Sequence, residues 1–439
     1  MRVVRAAAAA LLLLTSCPGI ASAIPSAAPF GPLTPTEQHA RCARPVATAA
    51  ADVPAGHDLL DVAAAHRFSR GEGVTVAVID TGVTPHRRLP GLVAGGDYVS
   101  GDDGLSDCDV HGTLVAGIIA ARSDPGDGFV GVAPAARIVS IRQSSGAFRA
   151  KTSRAANAAE ATVGVGYGPL ATLAKAIVRA VDLRADVVNI SETACLAPSE
   201  VLGDDAVGQA LQYALAKDVV VVTAAGNLAD ATSCREQNPD PATDIKTVAT
   251  PARFAPLVVT VGAAQAADGT AASFSLRGPW VSVGAPGTDV VSIAPTTRGP
   301  RPVYALAGAD GASPLAGTSY AAAYVAGTVA LVRSRFPDLS AAEVIERIVA
   351  TAHGGGHDGA LGAGIIDPVA ALTAHLPSRP DPAVGHAVDA PSPPGHGPGG
   401  AGRILVTVAL AALLLAVSWR FVRAAAPAGA RTSTSPLRW

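Results

Sequence analysis

The amino-acid sequence predicts an α/β fold with three layers, in which helices cover both faces of a mostly parallel sheet. Several short runs rich in Val and Ile lack polar alternation, which is typical of strands that are buried on both faces. Segments with helical periodicity alternate with these runs, as they do in parallel sheets. Hydrophobic residues make up 49% of the 439 residues and charged residues 15%, so the chain can build a core of ordinary size.

The alternation of strands and helices runs from about residue 56 to residue 376. The predicted strands cover residues 74–79, 137–141, 187–190, 219–222 and 257–261. The predicted helices cover residues 112–121, 170–184, 205–217 and 319–335. Residues 144–168 are rich in Ala, Gly and Ser and are predicted to form a long, mobile surface loop. Functional residues are expected at the carboxyl ends of the strands, where parallel sheets place their active sites.

The N-terminus predicts export. A short basic segment precedes an apolar run, and Ala21-Ser22-Ala23 has the A-x-A pattern of a signal-peptide cleavage site. We therefore predict a signal peptide over residues 1–23 and a polar N-terminal extension over residues 24–55. An alternative stays open, because the residues that end in Cys17 resemble a lipobox that would place a lipid on this cysteine.

The C-terminus predicts a membrane anchor. Ile404–Trp419 has no charged residue and is bracketed by Arg403 and Arg420. As a helix this run is about 24 Å long, and the flanking arginines can extend it toward the ~30 Å of a bilayer core. The basic residues beyond it indicate that the tail is cytoplasmic and that the folded segment faces outward from the plasma membrane. The C-terminal part is thus predicted to consist of a Pro/Gly-rich linker, a transmembrane helix and a cytoplasmic tail, over residues 377–402, 403–422 and 423–439.

The charge balance and the acidic residues exclude two kinds of ligand. The net charge of −2 leaves no basic surplus for nucleic acid. An acidic cluster over residues 102–109 could hold calcium or attract basic substrates, but it is interpreted as a solvated loop because it lacks EF-hand spacing. We expect no metal and no cofactor.

Cysteine usage predicts disulfides. Besides Cys17 the chain has four cysteines: Cys42, Cys108, Cys195 and Cys234. An even number in an exported chain indicates two disulfides, for which three pairings exist.

Three motifs carry the groups of a nucleophilic triad. Asp80 follows a buried strand in Asp80-Thr-Gly, His111 begins a helix in His111-Gly-Thr, and Ser319 begins another in Gly317-Thr-Ser319. A hydroxyl is a poor nucleophile without a neighbouring base, and that base needs an orienting carboxylate. We predict that Ser319, His111 and Asp80 fill these roles, in an Asp–His–Ser order known for this geometry.

A fourth residue completes the predicted chemistry. Asn227 follows a buried strand, and its side-chain amide can donate to a developing oxyanion. Two other interpretations fail. Asp80-Thr-Gly also occurs in aspartic proteases, but the second such motif that their chemistry needs is missing. A nucleotide-binding protein would need a Gly-rich phosphate loop after the first strand, which is absent here.

These motifs resemble those of the subtilisin-like (subtilase) serine proteases over about residues 59–376. More narrowly, the chain is similar to the mycosins, which are membrane-anchored subtilases of actinobacterial type VII secretion systems. The narrower resemblance rests on the signal peptide, the extension with Cys42, the segment Val188–Cys195, the Pro-rich linker and the C-terminal span. It implies a serine endopeptidase whose partners are protein or peptide substrates and the type VII secretion membrane complex.

The resemblance also implies roles for individual residues. It makes Asp80, His111 and Ser319 the triad and Asn227 part of the oxyanion hole. It assigns substrate binding to Ser191, Glu192, Thr193, Ala224, Ala225 and Gly226. Side chains at Thr193 and Ala194, where subtilases often have Gly-Gly, should narrow the pocket and favour a P1 residue of small or modest size. The sequence departs from the family at Tyr320, which replaces Met, and at Ala323, which replaces Pro.

Among the three pairings we favour Cys195–Cys234 and Cys42–Cys108. Cys195 and Cys234 follow the carboxyl ends of strands that should be neighbours, so their loops can meet. Cys42 would then attach the extension beside Cys108, just ahead of His111. The resemblance implies in addition that the extension is retained and wraps the catalytic domain, and that the protein supports the secretion machinery structurally.

Overall fold

A nine-stranded sheet forms the middle layer of the protein, as a computed structural model shows. The strands in chain order are β1 (Thr36–Gln38), β2 (Pro45–Ala47), β3 (Thr75–Asp80), β4 (Val93–Asp97), β5 (Arg137–Arg142), β6 (Phe148–Ala150), β7 (Val187–Ile190), β8 (Ala194–Leu196), β9 (Val220–Ala224), β10 (Val248–Thr250), β11 (Val259–Ala264), β12 (Val283–Pro286), β13 (Val303–Gly308), β14 (Gly311–Pro314), β15 (His353–Asp358) and β16 (Gly362–Ile365). The central sheet has the order β15-β16-β12-β11-β9-β7-β3-β5-β4. Its neighbouring strands are parallel, except that β15 is antiparallel to β16.

Helices cover this sheet on both faces. The helices in chain order are α1 (Ala55–Leu59), α2 (Val62–Ala65), α3 (His111–Ala120), α4 (Leu170–Asp182), α5 (Asp205–Ala216), α6 (Thr318–Arg335), α7 (Ala341–Thr351) and α8 (Pro368–Thr373). Alternate side chains of β3 enter two different cores. Val76 and Val78 pack with α3 and α6, whereas Ala77 and Ile79 pack with α4 and α5. The predicted three-layer α/β fold with a mostly parallel sheet is confirmed.

The structure describes residues 30–48, 52–151, 162–164, 166–199, 203–229, 234–295, 301–309 and 311–376. These residues belong to one compact unit that ends at Leu376. The predicted signal peptide, the lipidation site at Cys17, the linker, the transmembrane helix and the tail lie outside the described residues. Within the described ranges, no helix has the length and apolar character needed to span a membrane.

Each predicted strand and helix is present, with ends shifted by a few residues at most. The prediction of a long surface loop over residues 144–168 is only partly correct. It contains β6, which pairs with β1 of the N-terminal extension, and Ser145 and Val163 at its two ends are fully buried. The strand was missed because its partner lies more than 100 residues away in sequence, where no local pattern can indicate it.

The described part of the N-terminal extension contacts the remainder of the fold at several places. Its strand β1 pairs with β6, and its strand β2 pairs with β13. Between them, the Ala43 N–H donates to the Cys108 carbonyl oxygen at 2.8 Å, and Cys42 forms a disulfide with Cys108. The extension therefore attaches to the loop that precedes α3 as well as to two separate strands.

Candidate active site

The parallel sheet places Asp80 at the carboxyl end of β3, where the strand leaves the core. Its side chain is buried, and Oδ1 accepts hydrogen bonds from the Thr81 N–H and from the His111 Nδ1–H, both at 2.7 Å. Oδ2 has no partner among the described residues. Asp80 therefore holds the imidazole with Nε2 free to act as a base.

Helix α3 begins at His111, close against the loop that carries Asp80. The close approach requires Gly112, because a Cβ at this position would lie 2.1 Å from the Gly82 carbonyl oxygen. The Gly112 N–H donates to the Thr81 hydroxyl at 3.0 Å. Val110, just before His111, has a φ of 66°, a costly conformation for a β-branched residue and of a kind often found at functional sites.

Asp107 connects the Asp80 loop to α3, a role that sequence reasoning missed. Its carboxylate accepts a hydrogen bond from the Thr81 hydroxyl at 2.8 Å and two from Thr113, at 2.8 Å from N–H and 2.6 Å from the hydroxyl. Burial raises the pKa of Asp107 to about 6, because the loss of hydration disfavours the carboxylate more than these hydrogen bonds favour it. The interpretation of this cluster as a solvated loop is therefore wrong for Asp107, and no sequence spacing pointed to its partners.

Helix α6 begins at Thr318 and places Ser319 in its first turn. The Ser191 hydroxyl donates to the Ser319 carbonyl oxygen at 3.0 Å. The Thr318 hydroxyl accepts from the Gly226 N–H at 3.2 Å and lies 3.0 Å from Asn227 Oδ1. These bonds tie the start of α6 to the ends of β7 and β9.

The side chain of Asn227 is oriented by Thr318. Its Oδ1 accepts from the Thr318 N–H at 2.9 Å and from the Thr318 hydroxyl at 3.0 Å. The amide nitrogen is thereby left as a donor, and it lies 3.3 Å from the position that a Cβ of Gly317 would occupy. Asn227 thus presents its N–H groups beside the backbone that leads to Ser319, where an oxyanion would form.

One cleft brings most of the predicted residues together. Its lining consists of His111, Gly164, Ser191, Glu192, Thr193, Asn227, Cys234, Thr318 and Ser319. Asp80 lies behind His111, buried from solvent. The base, the nucleophile and the amide donor expected from the sequence therefore share one surface.

Three residues expected in the substrate pocket are placed differently. Ala224 packs in the core, Ala225 is fully buried, and the Gly226 N–H is directed to Thr318. None of the three is among the described residues that line the cleft. Of the predicted pocket residues, only Ser191, Glu192 and Thr193 form its wall.

The two departures from the family motif lie in α6. Tyr320 packs against the catalytic-site imidazole, with ring centroids of Tyr320 and His111 5.5 Å apart. Ala323 is fully buried in the core, inside a helix that continues without interruption to Arg335. The substitutions therefore change the packing around His111 and leave the path of the helix intact.

The charges around His111 are predominantly negative. Burial alone would lower the pKa of His111, but the charge and hydrogen bond of Asp80, together with Glu192 and Asp107, raise it to about 9. Burial and the charge of Asp80 raise the pKa of Glu192 to about 7. The site thus stabilises the protonated imidazole of His111. This is the state that His111 would reach after accepting a proton as a general base.

The same residues offer the best cation ligands in the described part of the chain. Asp80, His111 and Glu192 each have a ligand atom within 4.8 Å of the others. Two of the three residues, His111 and Asp80, are hydrogen-bonded to each other through Nδ1 and Oδ1. A cation that used either of these two atoms would have to break the pair that orients the base.

Two disulfides flank the cleft in the pairing favoured from the sequence. Cys195 is bonded to Cys234, which itself lines the cleft. Cys42 is bonded to Cys108, three residues before His111. The presence of disulfide bonds is confirmed.

The fold and this site can be compared with those of known protein families. The model of the subtilase family, peptidase S8, matches residues 71–364. The chain belongs to the subtilase family of serine endopeptidases.

The relatives narrow the assignment to one group of that family. Mycosin-1 of Mycobacterium tuberculosis is 46% identical over 434 residues, which cover 93% of this chain and 95% of the relative. The solved structure of the MycP3 protease from the type VII (ESX-3) secretion system is 43% identical, with a TM-score of 0.72 over 79% of this chain and 96% of that one. A chain in the structure of an intact ESX-5 inner membrane complex is 39% identical, with a TM-score of 0.73 over 91% and 97%. The chain is accordingly a mycosin.

Proposed function

We propose that the protein cleaves peptide bonds by acyl transfer, with Ser319 as nucleophile, His111 as general base and Asp80 as orienting carboxylate. The observation that carries the proposal is the 2.7 Å hydrogen bond from His111 Nδ1 to buried Asp80, in a cleft that His111 and Ser319 line together. His111 takes the Ser319 proton as the hydroxyl attacks the carbonyl carbon of the substrate. Protonated His111 then gives this proton to the leaving amine, and water completes the cycle.

Two donors are assigned to the oxyanion. The Asn227 amide is oriented for this role by Thr318, and the Ser319 N–H lies in the first turn of α6. Ser191, Glu192 and Thr193 contact the substrate in this proposal. Ala224, Ala225 and Gly226 do not line the cleft and have no direct contact with the substrate in this proposal. Thr193 narrows the pocket next to Ser319, which favours a small P1 side chain.

The second part of the proposal concerns location. The signal peptide over residues 1–23 would direct export, and the transmembrane helix over residues 403–422 would then anchor the catalytic domain on the outer side of the plasma membrane. The relatives support this arrangement, since one of them is a chain of an inner membrane complex. We propose that this protein processes substrates of a type VII secretion system and supports its membrane complex.

A structural role with incidental proteolysis is the alternative, and the membership of a relative in a membrane complex favours it. The proteolytic role and the structural role are separated by comparing secretion with the Ser319→Ala variant and secretion after deletion of the whole chain. A matched control is Ser313→Ala, which makes the same chemical change in the exposed strand β14. If proteolysis is the function, Ser319→Ala abolishes peptide hydrolysis and substrate processing, whereas Ser313→Ala leaves both intact. If Ser319→Ala supports secretion and processing as well as wild type does, the catalytic proposal fails.

A further inference from the structure

Glu192 places a carboxyl group in the cleft that the acyl-transfer chemistry does not use. It follows β7 and lines the cleft with His111 and Ser319. The Ser144 hydroxyl donates a hydrogen bond to its Oε2. A Glu192 oxygen also lies within 4.8 Å of ligand atoms of His111 and Asp80. This carboxyl group therefore lies beside His111 and Ser319. In the proposed mechanism it takes no proton from either residue.

The surroundings of Glu192 contain an excess of negative charge. Asp80 and Asp109 lie close enough to act on its ionisation, and Asp107 acts on the neighbouring imidazole. Across the described ranges, none of these four carboxyl groups forms an ion pair with Lys or Arg. Among the charged groups of the described residues that act on the ionisation of Glu192, the one that can carry a positive charge is His111. A cleft with an excess of negative charge attracts positively charged groups.

A bound peptide would cover Glu192, because its reacting carbonyl must lie between His111 and Ser319. Covering a carboxylate without a cation costs free energy, since the charge loses its hydration. A cationic side chain of the substrate would replace that hydration. Burial holds the pKa of Glu192 at about 7, so the carboxylate is charged above neutral pH and the cation would stabilise this form.

The position of Glu192 indicates which substrate residue it meets. Glu192 lies on the side of the cleft occupied by His111 and Asp80. The Thr193 hydroxyl lies toward the end of β9, 3.3 Å from the position that a Cβ of Gly226 would occupy. In the proposed mode of binding, the residue at the scissile carbonyl faces Thr193, and a residue further along the peptide faces Glu192.

We propose that Glu192 is a specificity-determining residue, which selects substrates with a Lys or Arg side chain near the scissile bond but not at the residue that carries the scissile carbonyl. This inference rests on the proposed peptidase function. It names the substrate class as cationic peptides whose P1 residue is small.

The test uses a positional-scanning peptide library with Lys, Arg, Gln or norleucine at each position around a small P1 residue. Glu192→Gln removes the charge and retains the shape. Glu346→Gln makes the same change on an exposed residue of α7 and serves as the matched control. At pH 8 we expect wild type to prefer Lys or Arg to norleucine by roughly tenfold or more in kcat/KM at one position. Glu192→Gln should bring this ratio close to one, and Glu346→Gln should leave it unchanged.

Two results would overturn the inference. In the first, wild type cleaves peptides through Ser319 with no preference for a cationic residue at any position. In the second, Glu192→Gln lowers kcat/KM equally for charged and neutral peptides, which would assign Glu192 to the positioning of His111. A failure of the proposed function looks different, since no peptide would then be cleaved in a Ser319-dependent manner. In that event, peptide binding to Ser319→Ala with and without Glu192→Gln still decides the inference, because a lysine peptide must bind more tightly only when Glu192 is present.

Discussion

Among single residues, Thr318 fixes the orientation of the Asn227 side chain that the proposed mechanism needs. It is the residue between Gly317 and Ser319, and both its N–H and its hydroxyl donate to Asn227 Oδ1. Any loss of these bonds would allow the Asn227 amide to rotate, so that an oxygen instead of N–H groups faced the oxyanion. The donor predicted from the sequence therefore depends on a neighbour whose role the sequence did not reveal.

Replacing Asn227 by Ala should lower kcat by ~10²–10³ and leave KM almost unchanged, because the lost bond forms only in the transition state. Thr318→Val should cause a smaller loss, since the Thr318 N–H still orients the amide. Steady-state kinetics on one peptide give both values, and thermal unfolding shows that the variants are folded. A loss of less than about threefold for Asn227→Ala would remove this residue from the mechanism.

At the scale of elements, the N-terminal extension is joined to the catalytic machinery through one disulfide. Cys108 is followed by Asp109, whose carboxylate accepts hydrogen bonds from the Ser145 hydroxyl and, at 3.2 Å, from the Ala147 N–H. It is preceded by Asp107, which binds the first turn of α3 through Thr113. The extension therefore stabilises the loop that positions His111.

Replacing Cys42 and Cys108 together by Ser should lower the free energy of unfolding by about 2–4 kcal/mol, because the bond closes a loop between residues 66 apart. Denaturant titration measures this change. We also expect faster proteolysis within the extension. The Cys195→Ser, Cys234→Ser pair is the control, because it removes a disulfide that does not hold the extension. Equal proteolysis of the extension in both double variants would contradict the proposed attachment.

Sequence patterns predicted the central elements and missed those at the edges of the sheet. The strands β3, β7 and β9 consist largely of Val and Ile, whose shape is typical of buried strands. The strands β4, β12 and β16, which lie at or near the two ends of the sheet, are rich in Gly and Ala, which carry no such signal. Gly284 of β12 is closely packed, since a Cβ there would lie 2.6 Å from Leu361 Cδ2 and this side chain would have to shift. Tertiary contacts of this kind cannot be predicted from the local sequence.

At the scale of the whole molecule, the site is assembled from residues far apart in the chain. Motif types and their order were enough to predict Asp80, His111, Asn227 and Ser319, because the ends of parallel strands converge at one edge of the sheet. The supporting residues Asp107, Thr81 and Thr318 could not be predicted as such. Their hydrogen bonds depend on loop conformations that only the folded chain defines.

In the proposed mechanism, His111 makes Ser319 nucleophilic. The rate at which a fluorophosphonate modifies the Ser319 hydroxyl measures this nucleophilicity. Mass spectrometry of the digested protein identifies the labelled residue, and the rate is followed from pH 6 to pH 10 in wild type and His111→Ala. Because the base must be unprotonated and its pKa is raised to about 9, the rate in wild type should increase with pH up to about 9 and then level off. In His111→Ala, labelling should be slow at every pH. Labelling of Ser319 at the same rate in both proteins, or no labelling of Ser319 in wild type, would contradict the account.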